Sequence, residues 1–87
     1  MTSNVFEQIR TIASDLFRIP PERISAASTP QSIEAWDSIQ HLNLVLAIEE
    51  KFAVELSPEE IEQMTSVGET TKLVEAKLQA KLQGAPD

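Results

Sequence analysis

The sequence predicts an all-α fold: a bundle of three main helices plus one short helix, with a long loop between the first two. Three observations support this. Apolar residues recur at helical spacing in separate segments, side chains that commonly cap helices precede those segments, and no segment shows the alternation of a strand. A chain of 87 residues can bury one modest core. We therefore expect residues 1–87 to form a single domain, in which residues 83–87 are a frayed tail.

The first helix is predicted from about Val5 to Arg18. Asn4 and Glu7 have the spacing of a capping box, in which each side chain satisfies a backbone N–H of the other residue. The two prolines at positions 20 and 21 end the helix, because the residue before a proline avoids helical angles.

The long loop is predicted from about Ile19 to Trp36, and its prolines, serines and threonines mark it as irregular. A connection of this length is unusual in a compact domain unless it is functional or anchored. We expect Ile24 and Ile33 to anchor it to the core, and residues 21–24 to form an isolated helical turn.

The second helix is predicted from Ser38 to Phe52 with Asp37 as its N-cap. Ser57 begins the short helix, which is expected to end near Met64, and Ser66 begins the last helix. Residues at helical spacing on the three main helices should form the core: Ile9, Ile12, Leu16, Val45, Ile48, Phe52, Val67 and Val74.

Charge and composition exclude several functions. The formal net charge is −7, which disfavours nucleic acid and anionic lipid surfaces and favours basic partner proteins. The chain contains no cysteine, so a disulfide framework, a thiolate nucleophile and a sulfur metal site are absent. The N-terminus lacks a signal-peptide pattern and no apolar run could span a membrane. We therefore expect a cytoplasmic, monomeric protein.

The sequence does not indicate a catalytic or metal site. His41 lies three residues after Ser38, but a catalytic dyad also needs an orienting acid and an oxyanion hole, and no glycine-rich turn supplies one. His41 is therefore interpreted as a surface residue beside whatever binds at Ser38. The clustered glutamates of the second and third helices lack the spacing of a calcium loop and are interpreted as a solvated acidic face.

The segment Trp36-Asp37-Ser38-Ile39 is the best candidate site. A serine in the first turn of a helix, directly after a long loop, presents its hydroxyl to solvent. The positive end of the helix dipole would favour a phosphate attached there. The tripeptide from Asp37 to Ile39 is weak evidence alone, because it also suits a simple helix cap.

The order of several motifs resembles the acyl carrier protein family, in which an Asp-Ser-[Leu/Ile/Met] motif begins the second helix. Here that motif starts at Asp37 and is followed by the segment Ala47–Phe52, which is similar to the end of the family's second helix. Ser57–Ile61 resembles the short third helix, and Met64–Val67 resembles the start of the last one. Together the motifs cover nearly the whole chain without an insertion.

The resemblance implies a carrier and not an enzyme. Ser38, with Asp37 beside it, would carry covalent 4′-phosphopantetheine, attached from coenzyme A by a phosphopantetheinyl transferase that supplies its own base and Mg²⁺. The thiol of that arm would hold acyl groups as thioesters and present them to acyl-loading and acyl-processing enzymes.

Departures from the family's usual pattern suggest a specialised pathway. Gln40 and Asn43 stand where many fatty-acid carriers have acids at the start of the second helix, and Lys51 lies near its end. Trp36 before the motif is more typical of dedicated carriers. A specialised lipid or polyketide-like pathway is therefore the leading interpretation. The alternatives are an aminoacyl or peptidyl carrier of a nonribosomal-peptide-type pathway, or an acidic helical interaction domain without a prosthetic group.

A docking surface for these enzymes is predicted along the second helix. Ile39, Leu42 and Leu46 have the spacing of one helix face that begins at Ser38. The competing interpretation is that Leu42 and Leu46 belong to the core. The polar residues expected to flank the apolar strip and to meet basic partner side chains are Gln40, Asn43, Glu49 and Glu50.

Overall fold

The computed structural model describes residues 4–82, except for the side chains at positions 4, 81 and 82. These residues form four α-helices and one 3₁₀ turn: α1 (Asn4–Phe17), the turn (Pro21–Arg23), α2 (Ser38–Phe52), α3 (Pro58–Glu62) and α4 (Val67–Leu82). The predicted all-α bundle is confirmed, and the described residues include no strand. None of the helices within residues 4–82 is long and apolar enough to cross a membrane. The predicted tail at 83–87 and the side chain of Asn4 in the predicted capping box lie outside the described residues.

The helix starts follow from capping side chains. The Asp37 carboxylate accepts a hydrogen bond from the Gln40 N–H at 2.9 Å, which is why α2 begins at the predicted Ser38. At α3, Ser57 and Glu60 form a complete capping box. The Ser66 hydroxyl accepts from the N–H of Glu69 at 3.1 Å and starts α4. Each such cap contributes about 1 kcal/mol.

The first helix ends one residue before the predicted Arg18. Arg18 adopts a left-handed conformation with φ of 60°, and its N–H and that of Ile19 both bond the Ser14 carbonyl. The Ser14 hydroxyl donates to the Ile19 carbonyl at 2.6 Å. The chain therefore leaves the helix before the two prolines, and local hydrogen bonds provide partners for backbone groups at this end of the helix.

The core lies between α1, α2 and α4. Of the predicted core residues, Ile9, Val45, Ile48, Val67 and Val74 are buried, and the other three are partly buried against them. The cluster is completed by residues of the connecting segments, in particular Ile24, Ile33 and Trp36. The first two are the predicted anchors of the long loop.

The long loop is also fastened to the start of α4. The Val67 N–H donates to the Ser28 carbonyl at 3.0 Å, and the Gly68 N–H donates to the Ala26 carbonyl at 2.8 Å. A Cβ atom at Gly68 would lie only 2.9 Å from that Ala26 oxygen. The absence of a side chain at Gly68 thus allows the loop to pack directly on the helix, and this contact helps to fix the path of the chain towards Ser38.

Candidate functional site

Ser38 is the first residue of α2 and its side chain is exposed. Its neighbour Asp37 is an extended residue whose carboxylate is engaged by the Gln40 N–H. Within the part of the chain that the structure describes, the Ser38 hydroxyl has no hydrogen-bond partner. The hydroxyl is thus accessible to another protein and lies where the helix dipole favours a phosphate group.

A groove opens beside Ser38, and we call it the Ser38 groove. Its volume is about 550 Å³, and it lies between the start of α2 and the α3 side of the bundle. The residues that line it include Trp36, Ser38, His41, Leu42, Ile61 and Met64. Most of these side chains are apolar, so the groove offers an apolar surface next to the exposed hydroxyl.

Two hydrogen bonds of His41 connect opposite sides of this groove. The Trp36 indole N–H donates to His41 Nδ1 at 3.0 Å, and His41 Nε2 lies 3.2 Å from the carbonyl oxygen of Ile61. Since the indole can only donate, Nδ1 must accept, and the ring proton lies on Nε2 and points to the carbonyl. The two ring planes are inclined by 23°, and their centroids lie 6.0 Å apart. We call this connection the Trp36–His41–Ile61 bridge.

The bridge corrects the sequence-based interpretation of His41 as a surface residue. His41 is only partly exposed, and both of its ring nitrogens have partners. Periodicity could not reveal this contact, because the Ile61 carbonyl is 20 positions away. The only local signal was an aromatic residue two positions before the helix and a hydrogen-bonding ring in the first turn.

The predicted apolar strip is exposed. Ile39, Leu42 and Leu46 keep 71%, 56% and 62% of their accessible surface, whereas Leu44 on the opposite face of α2 keeps 1%. The competing interpretation, in which Leu42 and Leu46 are core residues, is therefore wrong. Exposed apolar side chains that form a continuous row are unusual on a monomer and commonly mark an interaction site.

The four polar residues predicted to flank the strip differ in their environments. Asn43 and Glu50 are exposed. Gln40 donates from its amide to the Leu16 carbonyl at 3.0 Å and so ties α2 to the end of α1. The Glu49 carboxylate accepts the Leu56 N–H at 2.9 Å. Glu49 and Gln40 thus have structural contacts that the sequence did not reveal, and Glu50 is the more accessible acid.

The short α3 is held in place by an ion pair with α4. Lys77 Nζ lies 2.8 Å from the Glu60 carboxylate, and the Ser57 N–H donates to the same side chain. The hydrogen bond from Lys77, followed by that from Ser57, lowers the pKa of Glu60 below its ordinary value of 4.5. Since Ile61 follows Glu60 directly, this contact also positions the α3 side of the groove. Across residues 4–82, no group of three or more His, Asp or Glu side chains is arranged to hold a metal ion.

Comparisons with known proteins identify the family that this chain is similar to. The sequence profile of the phosphopantetheine attachment site family matches residues 7–74, a range that includes Ser38. The acyl carrier protein of Thermosynechococcus vestitus is 30% identical over 79 residues, which cover 90% of this chain and 96% of that protein. The acyl carrier protein of Wolinella succinogenes is 30% identical over 71 residues, covering 82% and 93% respectively.

The fold has a close counterpart among solved structures. The holo acyl carrier protein from Geobacter metallireducens superposes with a TM-score of 0.84 over 98% of each chain, at 24% sequence identity. The fold and the matched family profile together define the class: a helical carrier domain that holds a prosthetic group covalently and is not itself an enzyme. Within that class, the chain belongs to the acyl carrier protein family.

Family membership settles several of the expectations from the sequence. The prosthetic group is 4′-phosphopantetheine, and the protein is a carrier and not an enzyme. Its partners include, in general terms, a phosphopantetheinyl transferase and acyl-processing enzymes. The alternative of an interaction domain without a prosthetic group is therefore excluded.

Proposed function

We propose that Ser38 is the residue that carries 4′-phosphopantetheine. The observation that carries this proposal is the exposed, unpartnered hydroxyl at the start of α2, beside an apolar groove and within the matched residues 7–74. The site suits the group, because a phosphodiester there would face the positive end of α2. The adjoining groove offers apolar contacts to the part of the arm beyond the phosphate.

The chain contributes only the hydroxyl to the attachment step. Ser38 Oγ forms a bond to the phosphorus of the transferred group, and the P–O bond within the pyrophosphate of coenzyme A breaks. Adenosine 3′,5′-bisphosphate leaves, and the hydroxyl proton passes to a base of the transferase. Once bound, the group supplies a thiol that holds cargo as a thioester. Tethering raises the effective concentration of the cargo at a partner's active site.

The proposed cargo is an acyl group of a specialised lipid or polyketide-like pathway. Two features support a dedicated carrier: neutral Gln40 and Asn43 in the first turns of α2, and the buried Trp36 directly before Asp37. An aminoacyl or peptidyl cargo is the alternative, and loading with acyl and aminoacyl donors separates the two. We further propose that the protein acts as a monomer in the cytoplasm.

We propose that partner enzymes dock on the strip of Ile39, Leu42 and Leu46. The strip begins next to Ser38, so an enzyme that acts on the arm must approach this face of α2. An apolar centre with a polar rim is the usual anatomy of a docking site. Exposed Glu50 and the net charge of −7 would attract basic partner surfaces and raise the encounter rate.

Intact mass spectrometry tests the attachment residue. The parent protein is incubated with coenzyme A, Mg²⁺ and a broad-specificity phosphopantetheinyl transferase, and we expect one added arm per chain. Ser38→Ala should remain folded and gain no mass. Ser57→Ala is the matched control, because Ser57 is also an exposed serine at the start of a helix, and it should be loaded like the parent. An arm on Ser38→Ala, or none on the parent, would refute the assignment.

A further inference from the structure

We propose that Trp36 and His41 form a wall that limits how much of a cargo the protein can enclose. Short acyl groups would lie in the Ser38 groove, and the additional methylenes of long ones would stay in solvent. The proposal rests on attachment at Ser38 and names the class of cargo that this site shelters: short, apolar acyl groups.

The first support is the position of the groove. Ser38 and Leu42 line it together with Met64, so a cargo on an arm at Ser38 can fold back into it without leaving the protein. Met64 keeps only 2% of its accessible surface, and Leu42 belongs both to the groove and to the exposed strip. The cargo that enters therefore meets apolar walls close to its own attachment site.

The second support is the barrier between the groove and the core. The Trp36 indole keeps 2% of its accessible surface, and its ring centroid lies 5.5 Å from that of Phe17, which belongs to the core. On the groove side, the indole is fixed by its 3.0 Å hydrogen bond to His41. His41 also contacts the Ile61 carbonyl at 3.2 Å, so the bridge connects α2 to α3 beside the groove.

An alkyl chain cannot replace the bonds that it would have to break. Passage towards Phe17 requires the Trp36–His41–Ile61 bridge to separate, which leaves the buried indole N–H without its partner. Methylene groups neither donate nor accept hydrogen bonds, and a chain that fills the gap excludes water. Buried polar groups without partners are costly, so the bridge should stay closed when an apolar cargo arrives.

The experiment uses the full chain loaded at Ser38 from butanoyl-, octanoyl- and hexadecanoyl-coenzyme A. Thermal melting and retention on a hydrophobic column are measured for each form, with the unacylated arm as the baseline. We expect Tm to rise from butanoyl to octanoyl and not to rise further with hexadecanoyl. The hexadecanoyl form should be retained much longer on the column, because its outer methylenes are exposed.

Two variants test the wall itself. His41→Ala removes the bridge, so in this variant Tm should continue to rise up to hexadecanoyl and the retention of that form should fall. Lys51→Ala is the control, since Lys51 is an exposed residue of the same helix that does not line the groove, and it should behave like the parent. If His41→Ala fails to fold, the chain-length series on the parent still decides the question.

The position of the cargo is read out by the single tryptophan of the chain. A terminally brominated octanoyl group should quench Trp36 fluorescence relative to plain octanoyl, because bromine quenches on contact. The inference is overturned if Tm of the parent rises as much from octanoyl to hexadecanoyl as from butanoyl to octanoyl, or if the brominated cargo does not quench. Failure to load Ser38 at all would refute the proposed attachment residue instead.

Discussion

Replacement of Gly68 by alanine tests how tightly the long loop is fastened to α4. An added Cβ would lie 2.9 Å from the Ala26 carbonyl oxygen and 3.2 Å from the Ala26 Cβ. Neither atom can rotate away, because one belongs to the backbone and the other is the first atom of a side chain. The loop must therefore shift, and the 2.8 Å hydrogen bond from the Gly68 N–H shifts with it.

The expected sign follows from a comparison of opposing effects. Alanine is a better helix former than glycine by about 1 kcal/mol, which would stabilise α4. Overpacking at a close contact costs about 1–3 kcal/mol, and a weakened hydrogen bond costs about 1 kcal/mol more. We therefore expect Gly68→Ala to lower the free energy of unfolding by about 1–3 kcal/mol. For a domain of this size, each kcal/mol corresponds to about 4–8 °C in Tm.

Urea and thermal unfolding followed by circular dichroism measure this effect. Ala76→Gly is the matched control, because Ala76 is exposed on the same helix and its replacement reports helix propensity alone, with an expected loss of about 1 kcal/mol. If Gly68→Ala melts at or above the parent's Tm, the loop can shift without a loss of stability. That result would refute the conclusion that close packing on Gly68 fastens the loop to α4.

Three further predictions concern α2 and α3. Leu46→Ala should leave Tm nearly unchanged and slow loading by the transferase, whereas Leu44→Ala should cost about 2–5 kcal/mol because Leu44 is 1% exposed; equal stability losses would contradict the assignment of the two helix faces. Glu50→Lys should slow loading more at low than at high salt, since salt screens exposed charges, and a rate that does not depend on salt would argue against electrostatic attraction. The lowered pKa of Glu60 stabilises the fold fully above pH 4.5 and progressively less as the pH falls through the lowered value. Glu60→Gln should therefore flatten the dependence of Tm on pH in that acid range, and Lys77→Met should do the same. If Tm of both variants falls with decreasing pH as steeply as that of the parent, the ion pair does not stabilise the fold.

Local chemistry made much of the fold predictable from the sequence. Asp37 can cap only a helix that starts directly after it, and the apolar residues of that segment have helical spacing, so the bounds of α2 were predicted as observed. Pro58 after Ser57 likewise located the start of α3. The exposure of the apolar strip was predictable for a related reason: α2 carries more apolar residues than one buried face can hold.

Contacts between distant segments could not be predicted in the same way. Gln40 bonds a carbonyl 24 positions away, and its amide side chain gives no sign of this in the sequence. Glu49 was predicted to meet partners, but the turn after α2 brings the Leu56 N–H within 2.9 Å of its carboxylate. The Trp36–His41–Ile61 bridge depends on the packing of three segments at once, which residue spacing does not encode.

The weak attachment of α3 has a consequence for motion. None of the five residues of this helix is fully buried. Ile61 is partly buried against the core, and the polar contacts of the helix include the partly exposed Glu60–Lys77 pair and the His41 contact. Segments with few buried apolar contacts open with a smaller free energy than the whole domain. Amide hydrogens of α3 should therefore exchange with solvent faster than those of α1 or α4. An enzyme that binds a cargo held in the Ser38 groove would then need to displace only the short helix α3, while the core of α1, α2 and α4 remains folded.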